Sequence, residues 1–166
     1  GGMSDCQVLI LMGSDSDAPI MKSAVDMLDQ FGISNEMTVA SAHRSPARVL
    51  RLVEEADGRG VQVFIVGAGA AAHLAGVVAA HTTKPVIGVP IDATALSGMD
   101  ALLATVQMPP GVPVATMAIG KAGATNAAVM TAQILAVSDP AVADKLKDYK
   151  HLLVEKVERA AERLGT

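Results

Sequence analysis

Short, mainly apolar runs alternate with amphipathic stretches along this chain, and that alternation constrains the fold more than any other feature. "QVLILM" (7–12), "EMTVA" (36–40), "VQVFIVG" (61–67), "PVIGVPI" (85–91) and "PVATMAI" (113–119) have the length and branching of strands. Between them, residues 19–32, 46–60, 73–82, 98–108 and 124–137 read as helices. Strands that alternate with helices at this spacing pair in parallel, and helices cover both faces of the sheet. The fold class is therefore α/β, a three-layer α/β/α sandwich. No repeat or linker divides residues 1–166, so a single domain is expected. Gly1 and Gly2 ahead of Met3 read as a cloning scar and are left out of the fold reasoning.

The last segment is different. From Pro140 onward, Val142, Leu146, Tyr149, Leu153, Val157, Ala160 and Leu164 recur at helical spacing among charged residues. A helix of this length is comparable to the whole globular body. It packs along its own domain or reaches a neighbouring subunit. The second is favoured because 51% of the residues are hydrophobic. Counting Gly raises the apolar share to about 60%, against the usual 45–50%. A domain of this size cannot hide that much apolar surface in itself, so a homo-oligomer is expected.

Charge and cysteine usage exclude other classes. A net charge of −4 and only three aromatic residues argue against nucleic-acid binding. Cys6 stands alone, which leaves no disulfide framework or zinc spacing, and it reads as a buried strand thiol. No apolar run is long enough for a membrane span, and no signal peptide is visible. A soluble cytoplasmic protein is the default expectation.

Ligands of open parallel sheets bind beyond the carboxyl ends of the strands, so the loops there carry the candidates. "GSDSDAP" (13–19) places Ser14, Ser16 and Asp17 before a helix N-terminus. Capping accounts for one such residue. The remainder suit an anion and sugar hydroxyls. "SAHRSP" (41–46) is stiffened by Pro46, which forces Ser45 out of helical geometry. It holds Ser41, His43 and Arg44 in place. The guanidinium fork suits a phosphate, and imidazole is the side chain type that titrates near neutrality. "GAGAAAHLAG" (67–76) has small side chains that let a ligand approach the backbone closely, with His73 as a further contact or cap. Close helix–sheet packing explains the same small residues. Lys121 and Asn126 follow the fifth strand as site residues or helix-end groups. His81 and His151 lie within helices and read as structural or solvated.

Taken together, "GSDSD", "SAHRSP", "GAGAAAHLAG", "PVIGVP", "ALSGMDALLATVQMPPGVPVAT" and "AIGKAGATNAA" resemble the class I PurE family, the 5-(carboxyamino)imidazole ribonucleotide mutases of purine biosynthesis. The resemblance covers about residues 7 to 137, in order. It implies a flavodoxin-like fold, a homo-octamer, and neither metal nor organic cofactor. Carried over by motif, His43 becomes the catalytic proton carrier. Ser14, Asp17 and Arg44 become substrate-binding residues, with Arg44 on the phosphate side. Ser16, Ser41, Ala68, Gly69 and His73 become lining residues. Two positions depart from the family pattern: Ala70 replaces a Gly and Ala75 a Pro. A methyl at 70 narrows the pocket if that residue needs positive φ. The alternatives are a carboxylase that uses free carbon dioxide, whose members carry Lys where Arg44 stands, and a non-catalytic nucleotide- or flavin-binding module.

Overall fold

The structure, a computed structural model, describes residues 5–166. The expectation for Gly1, Gly2 and Met3 lies outside these. Strands β1 (Val8–Met12), β2 (Asn35–Val39), β3 (Val63–Gly69), β4 (Val86–Ile91) and β5 (Ala115–Thr116) form one parallel sheet in the order β2-β1-β3-β4-β5. Helices α1 (Ala18–Gln30), α2 (Pro46–Ala56), α3 (Leu74–Ala80), α4 (Met99–Val106), α5 (Lys121–Ala136) and α6 (Pro140–Arg163) complete the chain.

The period-2 geometry of a strand sends successive side chains to opposite faces, and the core divides accordingly. Val8, Ile10, Ile65, Ile87 and Val89 join α1 and α5 on one face. Leu9, Leu11, Phe64, Val66 and Val86 join α2 and α3 on the other. Every residue of β1 and β4 is buried, which explains why these runs lack polar alternation. Burying each such side chain contributes roughly 1.5–3 kcal/mol.

The small residues of α5 set its distance from the sheet and from α1. Gly123, Ala124, Ala127, Ala128, Thr131 and Ala132 form its buried face. A methyl added at Gly123 would overlap the carbonyl oxygen of Ala118, so the turn into α5 closes only around glycine. This is why the helix begins at Lys121, three residues before the position expected from sequence. The expected fifth strand shrinks to two residues, because only Ala115 and Thr116 pair with β4. Cys6 is buried as expected but sits two residues ahead of β1, and desolvation pushes its thiol pKa up.

α6 answers the question of the last helix in two halves. Val142 is buried, and Leu146 and Tyr149 pack on the α1–α5 face of the core. Tyr149 meets Phe31 edge-on with ring centroids 5.5 Å apart, and Lys145 Nζ donates to Phe31 O at 3.2 Å. The second half leaves that surface, so that Val157 is 70% and Leu164 83% exposed. Among the described residues, no helix is long and apolar enough to cross a membrane.

Candidate active site

Strand order reverses at β1, which has β2 on one side and β3 on the other. Their following loops therefore part at the carboxyl end of the sheet and leave a crevice, the usual binding place of such folds. The cleft here has a volume of about 340 Å³. Ser14, Ser16, Asp17, Ser41, His43, Arg44, Ala68, Gly69 and His73 all border it, so the structure brings the nine sequence candidates together.

The first loop separates capping from ligand candidates. Ser14 is extended at φ −150°, and its Oγ accepts from the Ser16 N–H at 3.3 Å while lying 2.8 Å from Ser16 Oγ. Ser14 therefore caps the short 3₁₀ turn Asp15–Asp17. Asp17 precedes α1 but makes no side-chain cap bond. It is only 7% exposed and borders the cleft. Burial pushes its carboxyl pKa above the ordinary value and the nearby Asp15 adds to this, while a backbone hydrogen bond from Ser14 works against it. A buried carboxylate left without a capping role is costly in structural terms, and it is well suited to accept hydroxyl donors from a ligand.

The second loop is tied to itself before α2 starts. Ser45 N donates to Ser41 O at 2.9 Å, and Ser41 N donates to Ser45 Oγ at 2.9 Å. Ser41 Oγ accepts from Arg44 N at 3.1 Å, so this hydroxyl shapes the loop as well as lining the cleft. Ser45 has φ −140° and ψ 55°, outside the helical region, as Pro46 requires. The Arg44 guanidinium reaches across to the loop after β1, where Nη2 donates to Gly13 O at 3.1 Å. That bond uses one of its five N–H donors and leaves the fork anchored at the cleft wall.

The third loop follows β3. Ala70 adopts φ 51°, the left-handed region that a side chain disfavours by roughly 1–2 kcal/mol. Its methyl group thus sits on a backbone suited to glycine, the condition under which the cleft narrows. Ala75, where the family pattern has Pro, is buried in the first turn of α3 and packs normally. His73 precedes α3 but makes no cap bond with its side chain. Instead its Nδ1 lies 2.8 Å from His43 Nε2, with ring centroids 4.9 Å apart and planes at 68°. Both rings are exposed at the cleft.

Several residues fall otherwise. Lys121 and Asn126 are exposed on α5 and do not border the cleft. His81 turns back to Val77 O at 2.8 Å, and His151 is exposed on α6. Ala93, in the loop after β4, lines the cleft and was not singled out from sequence, although the strand-end rule points to that loop too. Among the described residues, no three His, Cys, Asp or Glu side chains cluster as a metal site would need.

Comparison with known proteins agrees with this picture over nearly the whole length. Residues 7–156 match the model of the family described as AIR carboxylase. The chain is 49% identical to an N5-carboxyaminoimidazole ribonucleotide mutase of Thermotoga maritima, covering 95% of this chain and 91% of that protein. It is 50% identical to the protein of the same name from Bacillus subtilis, covering 93% and 96%. The crystal structure of Treponema denticola PurE superposes with a TM-score of 0.86 at 27% identity, covering 96% of this chain and 98% of that one.

Proposed function

The chain belongs to the AIR carboxylase family, and from that premise we infer that it is an N5-carboxyaminoimidazole ribonucleotide mutase of purine biosynthesis. The observation that carries this reading is identity of about one half, across nine-tenths of the chain, to proteins of that name. The enzyme is an isomerase. It moves a carboxylate from the exocyclic nitrogen of the ribonucleotide to the adjacent ring carbon.

The cleft supports a division of labour. Arg44 takes the phosphate with the donors that Gly13 leaves unused. Asp17 and the Ser14–Ser16 pair take the ribose hydroxyls. His43 gives its proton to the exocyclic nitrogen as the C–N bond breaks and carbon dioxide leaves. The gas stays against the small residues from Ala68 to Ala72, and the ring carbon attacks it. His43 then recovers the proton displaced from that carbon. Each proton released is consumed, so no metal or organic cofactor is needed. One group acting as acid and then base contributes roughly 10²–10⁴ in rate, and confinement of the fragments supplies much of the remainder.

The related carboxylase reaction would draw carbon dioxide from solution. Arg44, in place of the Lys that marks carboxylases in the family resemblance, favours the mutase. Isotopic bicarbonate distinguishes the two. Product formed from the N-carboxylated nucleotide is expected to carry little label, and the uncarboxylated nucleotide to react poorly. Heavy labelling with efficient use of the uncarboxylated nucleotide would assign the carboxylase instead.

The same reading takes residues 1–166 as one domain of a cytoplasmic homo-octamer. Its support is exposed apolar surface: Leu96, Met99, Leu103 and Val106 around α4, and Val154, Val157 and Leu164 on α6. Isolated apolar residues are normal on a surface, but contiguous ones mark contacts. Light scattering is expected to give eight times the 16.9 kDa chain mass. A stable monomer at micromolar concentration would refute the assembly.

A further inference from the structure

We propose that His73 is a positioning residue that fixes which nitrogen of His43 carries out proton transfer. The inference rests on the reading of His43 as the proton carrier. Its own observation is the 2.8 Å separation between His43 Nε2 and His73 Nδ1. At that distance one nitrogen must donate and the other accept. Helix capping does not explain His73, because its side chain makes no bond to the first turn of α3.

Two proton arrangements satisfy the pair. In the first, His43 Nε2–H donates to His73 Nδ1, and His73 carries its own proton on Nε2. In the second, His73 Nδ1–H donates to His43 Nε2, and His43 carries its proton on Nδ1. Only the first is compatible with the whole catalytic cycle. The charged His43 keeps Nε2–H on His73 and delivers its Nδ1 proton to the substrate. The neutral His43 that results still donates from Nε2, and its bare Nδ1 recovers the proton from the ring carbon. The bond to His73 thus persists through both steps, strengthened whenever His43 is charged. In the second arrangement, loss of the Nδ1 proton would leave an imidazolate unless a second proton moved from His73. His73 therefore stays neutral, as a fixed acceptor, and Nδ1 of His43 is the working nitrogen.

The other charged groups at the cleft are consistent with these roles. Asp17, from the loop after β1, supplies the carboxylate, and Arg44, beside His43 in sequence, supplies a cation held on Gly13 O. Neither is hydrogen-bonded to either ring. A proton on His73 Nδ1 would remove the acceptor and set two like charges in contact.

Two variants and one spectroscopic measurement test the proposal. His73→Asn places an amide oxygen, an acceptor that does not titrate, near the position of Nδ1. His73→Leu removes the acceptor. His73→Leu is expected to lower kcat about 10- to 100-fold with KM changed far less, the scale on which partners that orient a functional imidazole act. His73→Asn should recover most of that loss. Nitrogen NMR of the ¹⁵N-histidine-labelled full-length protein should show neutral His43 protonated on Nε2 in the wild type and in His73→Asn. In His73→Leu it should show a tautomer mixture. Equal loss of kcat in both variants, or a His43 tautomer indifferent to His73→Leu, would overturn the proposal. The tautomer is read without turnover, so failure of the His43 assignment itself would appear separately, as near-normal activity of a His43 variant.

Discussion

His43→Asn is expected to fold and assemble normally, bind the ribonucleotide with KM within a few-fold of the wild type, and lose about 10²–10⁴ in kcat. The reasons are local. His43 is exposed on a loop that is held by Ser41, Ser45 and Pro46, none of which depends on the imidazole. Arg44 keeps its bond to Gly13 O, and Asp17 keeps its place in the cleft. What disappears is the imidazole to which both proton transfers are assigned in the proposed mechanism. Steady-state kinetics beside a direct binding measurement separate the two effects. Near-normal turnover would remove His43 from the mechanism.

Asp17→Asn should act on the other parameter. Removing one charge-assisted acceptor from a buried site costs roughly 1.5–3 kcal/mol of binding, so KM is expected to rise about 10- to 100-fold with kcat less affected. Two pH effects follow from the raised carboxyl. With ribose taken by the ionised form, as proposed, wild-type affinity should weaken as pH falls through the raised value, while the amide variant should be flat. Stability should run the opposite way. A carboxyl raised on folding is more readily protonated in the native state than in the unfolded chain. Its cost is absent below the unfolded value and fully present above the folded one. The variant should thus match or exceed wild-type stability at neutral pH and lose that advantage in acid. Chemical denaturation at two pH values checks this. A neutral-pH loss of stability in Asp17→Asn would show that the Ser14 backbone bond to the carboxylate outweighs the cost of burying it.

Much of the sheet was legible because β1, β3 and β4 are buried on both faces, and nothing but a strand explains such short aliphatic runs. The start of α2 was legible because Pro46 leaves Ser45 one option. The fifth strand was legible in place but not in extent. Residues 113–119 are apolar, but Ala115 is exposed at the sheet edge, so their hydrophobicity has a cause other than strand burial. α5 starts at Lys121 rather than at the expected residue 124, and the glycine in its first turn is needed by the Ala118 carbonyl. The last helix was weighed as belonging to one surface or another, and its two halves differ.

At the site, residue types at strand ends singled out seven residues that border the cleft, and the family resemblance added Ala68 and Gly69. Their pairing was out of reach. His43 and His73 are 30 residues apart and meet only because the loop after β3 bends back through Ala70 in a left-handed conformation. The positive φ of Ala70 was foreseen only as a condition, since a single alanine carries no sign of it. Whether Ser14 caps a turn or contacts a ligand depended equally on bonds that no spacing reveals.

The alanine face of α5 has a thermodynamic side that its geometry does not express. Burying Leu or Met surrenders rotamer freedom worth about 0.5–2 kcal/mol, and burying Ala or Gly surrenders none. From Gly123 to Ala132, then, the α5 face against β3 and β4 gains less apolar area per residue but has almost no side-chain entropy to lose. It also has almost no alternative rotamers to adopt. Beneath β3 and β4, then, the α5 side of the support has little means of repacking around the proposed nucleotide. Adaptation to the substrate must come from the loop backbones themselves, at Ser14–Asp17, Ser41–Ser45 and Ala70–His73, while the sheet beneath them holds its register.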